Sequence, residues 1–400
     1  MQTSGGECGR AGESLEGATG GGGRVCCGPE MGRNFTFGIV GGYGATGRAV
    51  AAELRRSCGG AILIGGRDLA RATGAAAELD GRGAAARLDV LDAGSLEEFC
   101  ARCAIVVNCA GPVMQLQDRV AQAAWRAKCH YVDAAGMSVV KERMAAHGGE
   151  IESAGLSFVI SAGWMPGISE MVPVYAAERA RAEMEAIESV TVYFADSGEW
   201  SVNALRDGVE FIRRRGMRSA GYFRQGEWTR AKMAETSRRA DLGAPVGAGR
   251  FAMFSTPELE EVGRGLKDCD FFSYSYLSGL RTVAASILMA AVPMPEGLAV
   301  RLLRGVFRRN RLPVDGFAAA EVLGSLQGRK EALCVQIVYR ERRDYWIHAV
   351  ALAAAARLIA EGKGVRRGVH FLAEAMEAGA FMAELRRAGV EVIERIEPRG

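Results

Sequence analysis

GIVGGYGATGRAV, residues 38–50, is a short apolar run, then three glycines spaced Gly42-x-Gly44-x-x-Gly47, then the opening of a helix. A strand that turns sharply into a helix is the geometry in which a backbone grips the pyrophosphate of a dinucleotide. In that arrangement Gly42 permits the tight turn, Gly44 lets backbone N–H groups approach the phosphates, and Gly47 lets the helix lie close to the sheet. The helix N-terminus adds N–H donors and the positive end of its dipole. The competing reading is a glycine-rich turn with no ligand, and the surrounding pattern decides between the two.

From residue 35 apolar runs and helical stretches alternate. FTFGIV (35–40), AILIG (61–65), AARLDV (85–90), AIVVNCAGP (104–112), CHYVDAAG (129–136) and LSFVISAG (156–163) read as strands. Residues 46–57, 68–79, 95–103, 117–128 and 138–153 read as the helices between them. Short continuous apolar runs alternating with helices imply a parallel sheet covered on both faces. The fold class is therefore α/β, with a Rossmann-type doubly wound parallel sheet. The glycines stand where a dinucleotide needs them, directly after a strand and opening a helix.

The 400 residues are 49% hydrophobic and 24% charged, with a net charge of +3. So small an excess argues for neither nucleic acid nor a membrane surface as a partner. Arg213, Arg214 and Arg215, and the run RRNR at 308–311, read as solvated helix faces or as docking points for an acidic substrate or carrier. The ten cysteines are scattered, with Cys26 and Cys27 adjacent, and form no disulfide framework. Cys100-x-x-Cys103 lacks a second pair and reads as two packing cysteines; with no HExxH in the chain, no metal is expected. Free thiols in this number fit a reducing cytoplasm. Residues 1–30 are dense in glycine and polar residues and read as a disordered N-terminal extension, with Met31 as an alternative start. They hold no apolar core of signal-peptide length. The apolar runs at 283–294 and 349–360 are too short to span a bilayer and read as buried helices.

The second strand ends in Gly65-Gly66-Arg67, and Arg67 falls twenty residues after Gly47. A carboxylate at this place takes a free ribose 2′-OH, whereas a guanidinium pairs with a 2′-phosphate. NADP(H) is therefore expected over NAD(H), with Asp68 as the N-cap of the next helix. Asp89 either reaches the adenine or caps a turn. Ala110, Gly111 and Pro112 end the fourth strand with small residues, against which a nicotinamide ribose can lie.

GGYGATG, GGRD, LDV, NCAGP, YVDAAG and SAGWMPG, in this order, resemble the NADP-binding domain of the saccharopine dehydrogenase family over roughly residues 33–175. The likeness returns at GVHFLAEAM (368–376) and the strand-like VEVIERI (390–396). It implies a nucleotide-binding domain of residues 31–180 plus about 345–400, interrupted by an α+β substrate and dimerisation domain at 181–344. It implies hydride transfer between NADP(H) and a C–N bond. By the same likeness Gly42, Gly44, Ala45, Thr46 and Gly47 hold the phosphates, Arg67 the 2′-phosphate, and Ala110, Gly111 and Pro112 the nicotinamide side. Pro166, Gly167 and Ile168, in SAGWMPGISE (161–170), line the substrate side.

The same glycine loop opens short-chain dehydrogenases, which need a Tyr-x-x-x-Lys pair. Tyr131, Tyr175, Tyr193, Tyr222, Tyr274, Tyr276, Tyr339 and Tyr345 all lack a lysine four residues on, and Arg343 after Tyr339 cannot shuttle protons. The catalytic group is left open among Tyr131, Asp133, Trp164 and His370, with Glu170, Asp196, Asn203 and Arg206 as further candidates. Each also has a structural reading: Trp164 as a packing residue, Asp133 as a turn cap, His130 as a satisfied core histidine. The substrate is either a small amino-acid-derived imine or enamine, or a carrier-bound acyl chain met by a trans-acting enoyl reductase. In the second case Met253, Phe254, Phe271, Phe272, Met289 and Met294 would line an acyl tunnel rather than a plain core. A non-catalytic NADP(H)-binding sensor or scaffold is the third reading. Strands at 188–198 and 331–341 give the second domain a sheet through which a homodimer is expected to form.

Overall fold

The computed structural model of the chain describes residues 35–197, 200–215, 220–276, 288–289, 292–307, 312, 314–339 and 345–398. The extension 1–30, Met31, the RRNR run and most of the apolar run 283–294 lie outside them. Six strands come first: β1 (Phe35–Val40), β2 (Ile62–Gly66), β3 (Gly83–Arg87), β4 (Cys103–Asn108), β5 (His130–Asp133) and β6 (Ser157–Ile160). They pair in parallel in the order β3-β2-β1-β4-β5-β6. The order reverses between β1 and β4, and ligands of such sheets bind beyond the carboxyl ends of the strands at that point.

The strands are apolar on both sides because helices cover both faces. Phe37, Ile39, Ile64 and Val107 face α1 (Ala45–Ser57) and α2 (Leu69–Ala77). Leu63, Val106, Tyr131 and Phe158 join a separate cluster with α3 (Ala93–Ala101), the one-turn α4 (Val113–Leu116) and α5 (Arg119–Arg126). Cys100 and Cys103 are fully buried there, as packing residues. The stretch 138–153, read from sequence as one helix, is α6 (Met137–Met144), a 3₁₀ turn at Ala145–His147 and α7 (Gly148–Ser153). Gly148 and Gly149 at the break are poor helix formers.

From β6 the chain enters α8 (Ile168–Glu183) and a second, nine-stranded sheet. Its strands are β7 (Ala186–Asp196), β8 (Gly221–Arg224), β9 (Glu227–Arg230), β10 (Ser237–Asp241), β11 (Ala248–Met253), β12 (Asp270–Tyr276), β13 (Gly316–Leu326) and β14 (Arg329–Tyr339), with one more from the C-terminal end. The main order is β10-β11-β12-β7-β13-β14. Among the described pairs only β12 with β7 is parallel. Between these strands lie α9 (Val202–Arg215) and α10 (Pro257–Gly265).

The chain then returns. The helix Trp346–Glu361 lies against α1, and β15 (Gly368–Phe371) adds beside β6 as a seventh parallel strand. After the helix Ala378–Arg387 it leaves again, and β16 (Glu391–Pro398) pairs antiparallel with β14. The stretch 390–396, expected on the nucleotide-binding side, thus belongs to the second sheet. Its sequence EVIERIEP carries a charge at four of eight positions, which suits an edge strand and not a doubly covered parallel one.

One apolar core joins the two sheets. It runs from Phe37 and Ile39 through Met171, Val172 and Ala176 of α8 to Val190, Ala320 and Val335, and takes in Ala351, Leu352 and Ala355 of the helix Trp346–Glu361. A helix so apolar along its length must be covered nearly all round. Leu352 is fully buried. Leu352→Ala is expected to lower the unfolding free energy by about 2–5 kcal/mol, read by urea denaturation; a loss below about 1 kcal/mol would contradict its place in this shared core.

Candidate functional site

The turn after β1 is made by Gly41, whose φ of +73° lies in the left-handed region. The sequence assigned this role to Gly42, one residue on; Gly42 instead donates its N–H to the Gly65 carbonyl at 3.0 Å, tying the loop to the end of β2. Gly44 is the N-cap of α1 and offers no side-chain cap, and the first turn holds no acidic residue. The N–H groups of Ala45, Thr46 and Gly47 therefore face outward at the positive end of the helix dipole without a side-chain acceptor. A Cβ on Gly47 would stand 2.4 Å from the Gly41 carbonyl oxygen and 2.6 Å from Gly42 Cα. Only glycine permits that approach, and the cradle it makes fits a pyrophosphate.

Beyond β2, Arg67 is exposed and makes no hydrogen bond or ion pair among the described residues. Asp68 is turned away to its own helix: it is the N-cap of α2 and accepts from Arg71 N–H at 3.1 Å. Asp89 lies past the end of β3, which stops at Arg87 rather than at 90. Its Oδ1 accepts from Leu91 N–H at 3.0 Å, the turn-capping alternative.

At the end of β4, Ala110 donates its N–H to Asn108 Oδ1 at 3.0 Å. Asn203 Nδ2 donates to the Gly111 carbonyl at 3.0 Å. Pro112 is the N-cap of α4, and Val113 and Met114 donate their N–H groups to the two carboxylate oxygens of Asp207 at 3.0 and 3.1 Å. Helix α9 is thus seated on the loop expected to hold the nicotinamide. Sequence reading found Asn203 and missed Asp207; its one signal is the spacing of four residues, one turn along the same helix face. Burial raises the Asp207 carboxyl above its ordinary value, against the two N–H donors that lower it. Of the other candidates in this half, Arg206 pairs with Glu296 at 2.6 Å on the surface, and Asp196 accepts from the Tyr339 hydroxyl at 2.9 Å.

The closing turn is tight. Gly167 has φ +133°, and a Cβ there would come within 2.3 Å of the Gly163 carbonyl oxygen. Pro166 precedes it, and Ile168, fully buried, opens α8. Three buried carboxyls gather behind the turn. Asp133 Oδ1 accepts from Gly136 N–H at 2.5 Å and Ser161 N–H at 2.9 Å. Ser161, a non-glycine at φ +61°, donates its hydroxyl to Glu258 Oε1 at 2.9 Å. Glu170 accepts from Gly167 N–H at 2.5 Å, the Ser169 hydroxyl at 2.7 Å and, through Oε1, the Thr256 hydroxyl at 3.4 Å. Glu170 and Glu258 stand in the first turns of α8 and α10, so two helix N-termini converge on the group. Burial pushes Asp133 up to about 7; burial and then the neighbouring Glu258 push Glu170 up to about 7. Glu258 was not singled out from sequence, because nothing local marks it.

The remaining catalytic candidates divide. Tyr131 is fully buried, its hydroxyl accepting from Asn108 Nδ2 at 3.1 Å, and burial raises its pKa. Trp164 is fully buried and stands edge-on to Tyr339, ring centres 5.2 Å apart, as a packing residue does. Its backbone N–H donates to Nδ1 of His348, whose imidazole burial lowers to about 4 and so keeps neutral. His370, the third of the four residues of edge strand β15, turns its ring back to the Arg367 carbonyl at 2.8 Å, before the strand begins, and so does not join the group. His130 accepts from Ser157 N–H at 3.1 Å, a satisfied histidine.

Residues 37–159 match the family described as saccharopine dehydrogenase NADP binding domain. No curated protein matches the chain in sequence. Among solved structures, the apo saccharopine dehydrogenase (L-Glu forming) of Saccharomyces cerevisiae is 14% identical, covers 91% of this chain and 100% of its own, and superposes with a TM-score of 0.63. An oxidoreductase domain protein from Kribbella flavida is 12% identical over 90% of this chain and 99% of its own, with a TM-score of 0.41. The chain therefore has the saccharopine dehydrogenase fold, and its residues 37–159 match the NADP-binding domain of that type.

Gly47→Ala is expected to weaken NADPH binding about tenfold or more, since helix and loop must part to admit the methyl group; unchanged affinity in a fluorescence titration would refute the cradle. Asp133 and Glu170 carry raised values in the folded chain against 3.8 and 4.5 ordinarily. The native state then holds more protons than the unfolded chain between those limits, so stability falls as pH rises from about 4 to about 7. Asp133→Asn or Glu170→Gln should flatten that fall when urea midpoints are compared across the range; an unchanged slope would show that these carboxyls ionise freely in the folded protein.

Proposed function

We propose that this chain, whose residues 37–159 form a saccharopine dehydrogenase-type NADP-binding domain, is an NADP(H)-dependent oxidoreductase that reduces an imine or enamine C–N bond of a small amino-acid-derived substrate. In this reading residues 31–180 and about 345–400, apart from β16, hold the cofactor, and residues 181–344 cover it and shape the substrate side. Gly42, Gly44, Ala45, Thr46 and Gly47 take the pyrophosphate, Arg67 the 2′-phosphate, Asp89, whose Oδ1 also caps its own turn, the adenine side, and Ala110, Gly111 and Pro112 the nicotinamide ribose. Bound NADPH supplies a hydride to the imine carbon.

The observation that carries the choice is the group of polar side chains gathered at the carboxyl ends of β4, β5 and β6. Asn203 and Asp207 reach the 111–114 loop, and behind Pro166, Gly167 and Ile168 stand Asp133 and Glu170, carboxyls that hold a proton near neutral pH. When hydride adds to the carbon, the π electrons of the C=N bond move to nitrogen, which takes a proton. A carboxyl titrating near neutrality is suited to give one and to be recharged; Ser161 holds two of these acids together, its backbone N–H donating to Asp133 and its hydroxyl to Glu258. The acyl-tunnel reading has less support: Phe271 and Phe254 join the shared core, Met253 and Phe272 a second cluster, Met289 and Met294 a third. Six residues in three clusters fit core roles better than one tunnel.

Seven described cysteines are free thiols, in keeping with a cytoplasmic location, and no helix among the described residues is long and apolar enough to cross a membrane. A homodimer through the second sheet completes the proposal. NADPH consumption in the presence of oxo acids with amines tests it. Turnover there and none with enoyl thioesters supports imine reduction; the reverse selects the enoyl reductase, and NADPH binding without any turnover selects the sensor. Arg67→Ala should weaken NADPH binding about tenfold or more while leaving NADH binding unchanged; equal weakening of both would remove the 2′-phosphate assignment.

A further inference from the structure

One side chain joins the phosphate loop to the end of β2. Tyr43, between Gly42 and Gly44, lays its ring on the backbone of Gly66: a Cβ there would come within 2.2 Å of Tyr43 Cε1. The Tyr43 hydroxyl accepts from Asp68 N–H at 3.3 Å. On the ring rests the guanidinium of Arg71, Cζ 4.5 Å from the ring centre. Arg71 lies in the first turn of α2, where a positive charge gains nothing from the helix dipole. Its backbone N–H occupies Asp68 Oδ1, and no ion pair holds its side chain among the described residues. Arg48, in the first turn of α1, is spent on Glu78. Arg67 and Arg71 are both exposed.

We propose that Arg71, held on the Tyr43 ring, is a second cation for the 2′-phosphate of NADP(H), and that Tyr43 places it. The inference deepens the cofactor reading and rests on it. A guanidinium held over a ring face can keep N–H groups free to grip a phosphate. Stacking also fixes a long side chain in advance, so less rotamer entropy is lost when the ligand arrives. Tyr43 lies inside the pyrophosphate loop, so the loop that takes one phosphate of the cofactor orients the cation for another. A cofactor with a free 2′-OH offers neither arginine a partner, and selectivity is then shared between Arg67 and Arg71.

NADPH and NADH titrations of the purified full chain, followed by nicotinamide fluorescence, test this. Arg71→Ala is expected to weaken NADPH binding about tenfold and to leave NADH binding within about twofold. Arg71→Lys, which keeps the charge but loses the planar fork, should fall between, and Arg67→Ala with Arg71→Ala should abolish the preference for NADPH. Tyr43→Phe keeps the ring and should stay near wild type, whereas Tyr43→Leu should lose NADPH preference in part. Equal weakening of both cofactors by Arg71→Ala would make Arg71 an adenine-stacking or structural residue and overturn the inference. No effect on either would overturn it too. Wild-type protein that binds neither cofactor would instead overturn the reading beneath it. An unchanged thermal midpoint for Arg71→Ala separates lost recognition from lost fold.

Discussion

The missing side chain at Gly47 lets α1 lie directly on the turn at Gly41 and Gly42, where a Cβ would stand 2.4 Å from a carbonyl oxygen. Two things follow from that closeness. The N-terminus of α1 is brought to the carboxyl edge of β1 without a side-chain cap, an arrangement suited to an anion. The body of the helix is pressed onto the sheet, with Val50 and Leu54 fully buried. That fixes the surface on which the helix Trp346–Glu361 settles, and through it the shared core. The ligand site and the junction between the two sheets thus rest on the same contact.

At the other end of that junction the chain accepts a local cost. Three carboxyls, a non-glycine residue at φ +61° and a glycine at φ +133° are crowded where β5 and β6 give way to α8 and α10. Buried acids without cations are unfavourable unless they keep their protons or are met by donors. Here backbone N–H groups, three hydroxyls and two helix N-termini supply the donors. Such strain persists only where the surroundings over-determine it, and it gathers at working sites.

The first sheet was legible because its signals are local. Short apolar runs mark six of its seven strands, all but β15, and the glycine spacing and Arg67 sit within one βα unit of each other. Small offsets arose where one residue could do another's work: Gly41 takes the turn assigned to Gly42, and Asp89 falls beyond a strand that stops at Arg87. What sequence could not show is long-range. Asp207 meets Val113 across 94 positions, and Glu258 meets Ser161 across 97. No period or motif encodes such meetings; they follow only once α9 and α10 are placed. The same holds for β16, whose composition fits an edge strand but names no partner.

The crossing of β15 and β16 has a consequence for how the molecule is assembled. After residue 345 the chain gives a helix and a strand to one sheet and then a strand to the other. This stretch works as a clasp, and neither sheet is finished without it. As the polypeptide emerges from the ribosome, the outer edges of β6 and β14 stay open until β15 and β16 follow. Open strand edges invite wrong partners, so the interval before the clasp closes is the time when a nascent chain of this kind most needs a chaperone.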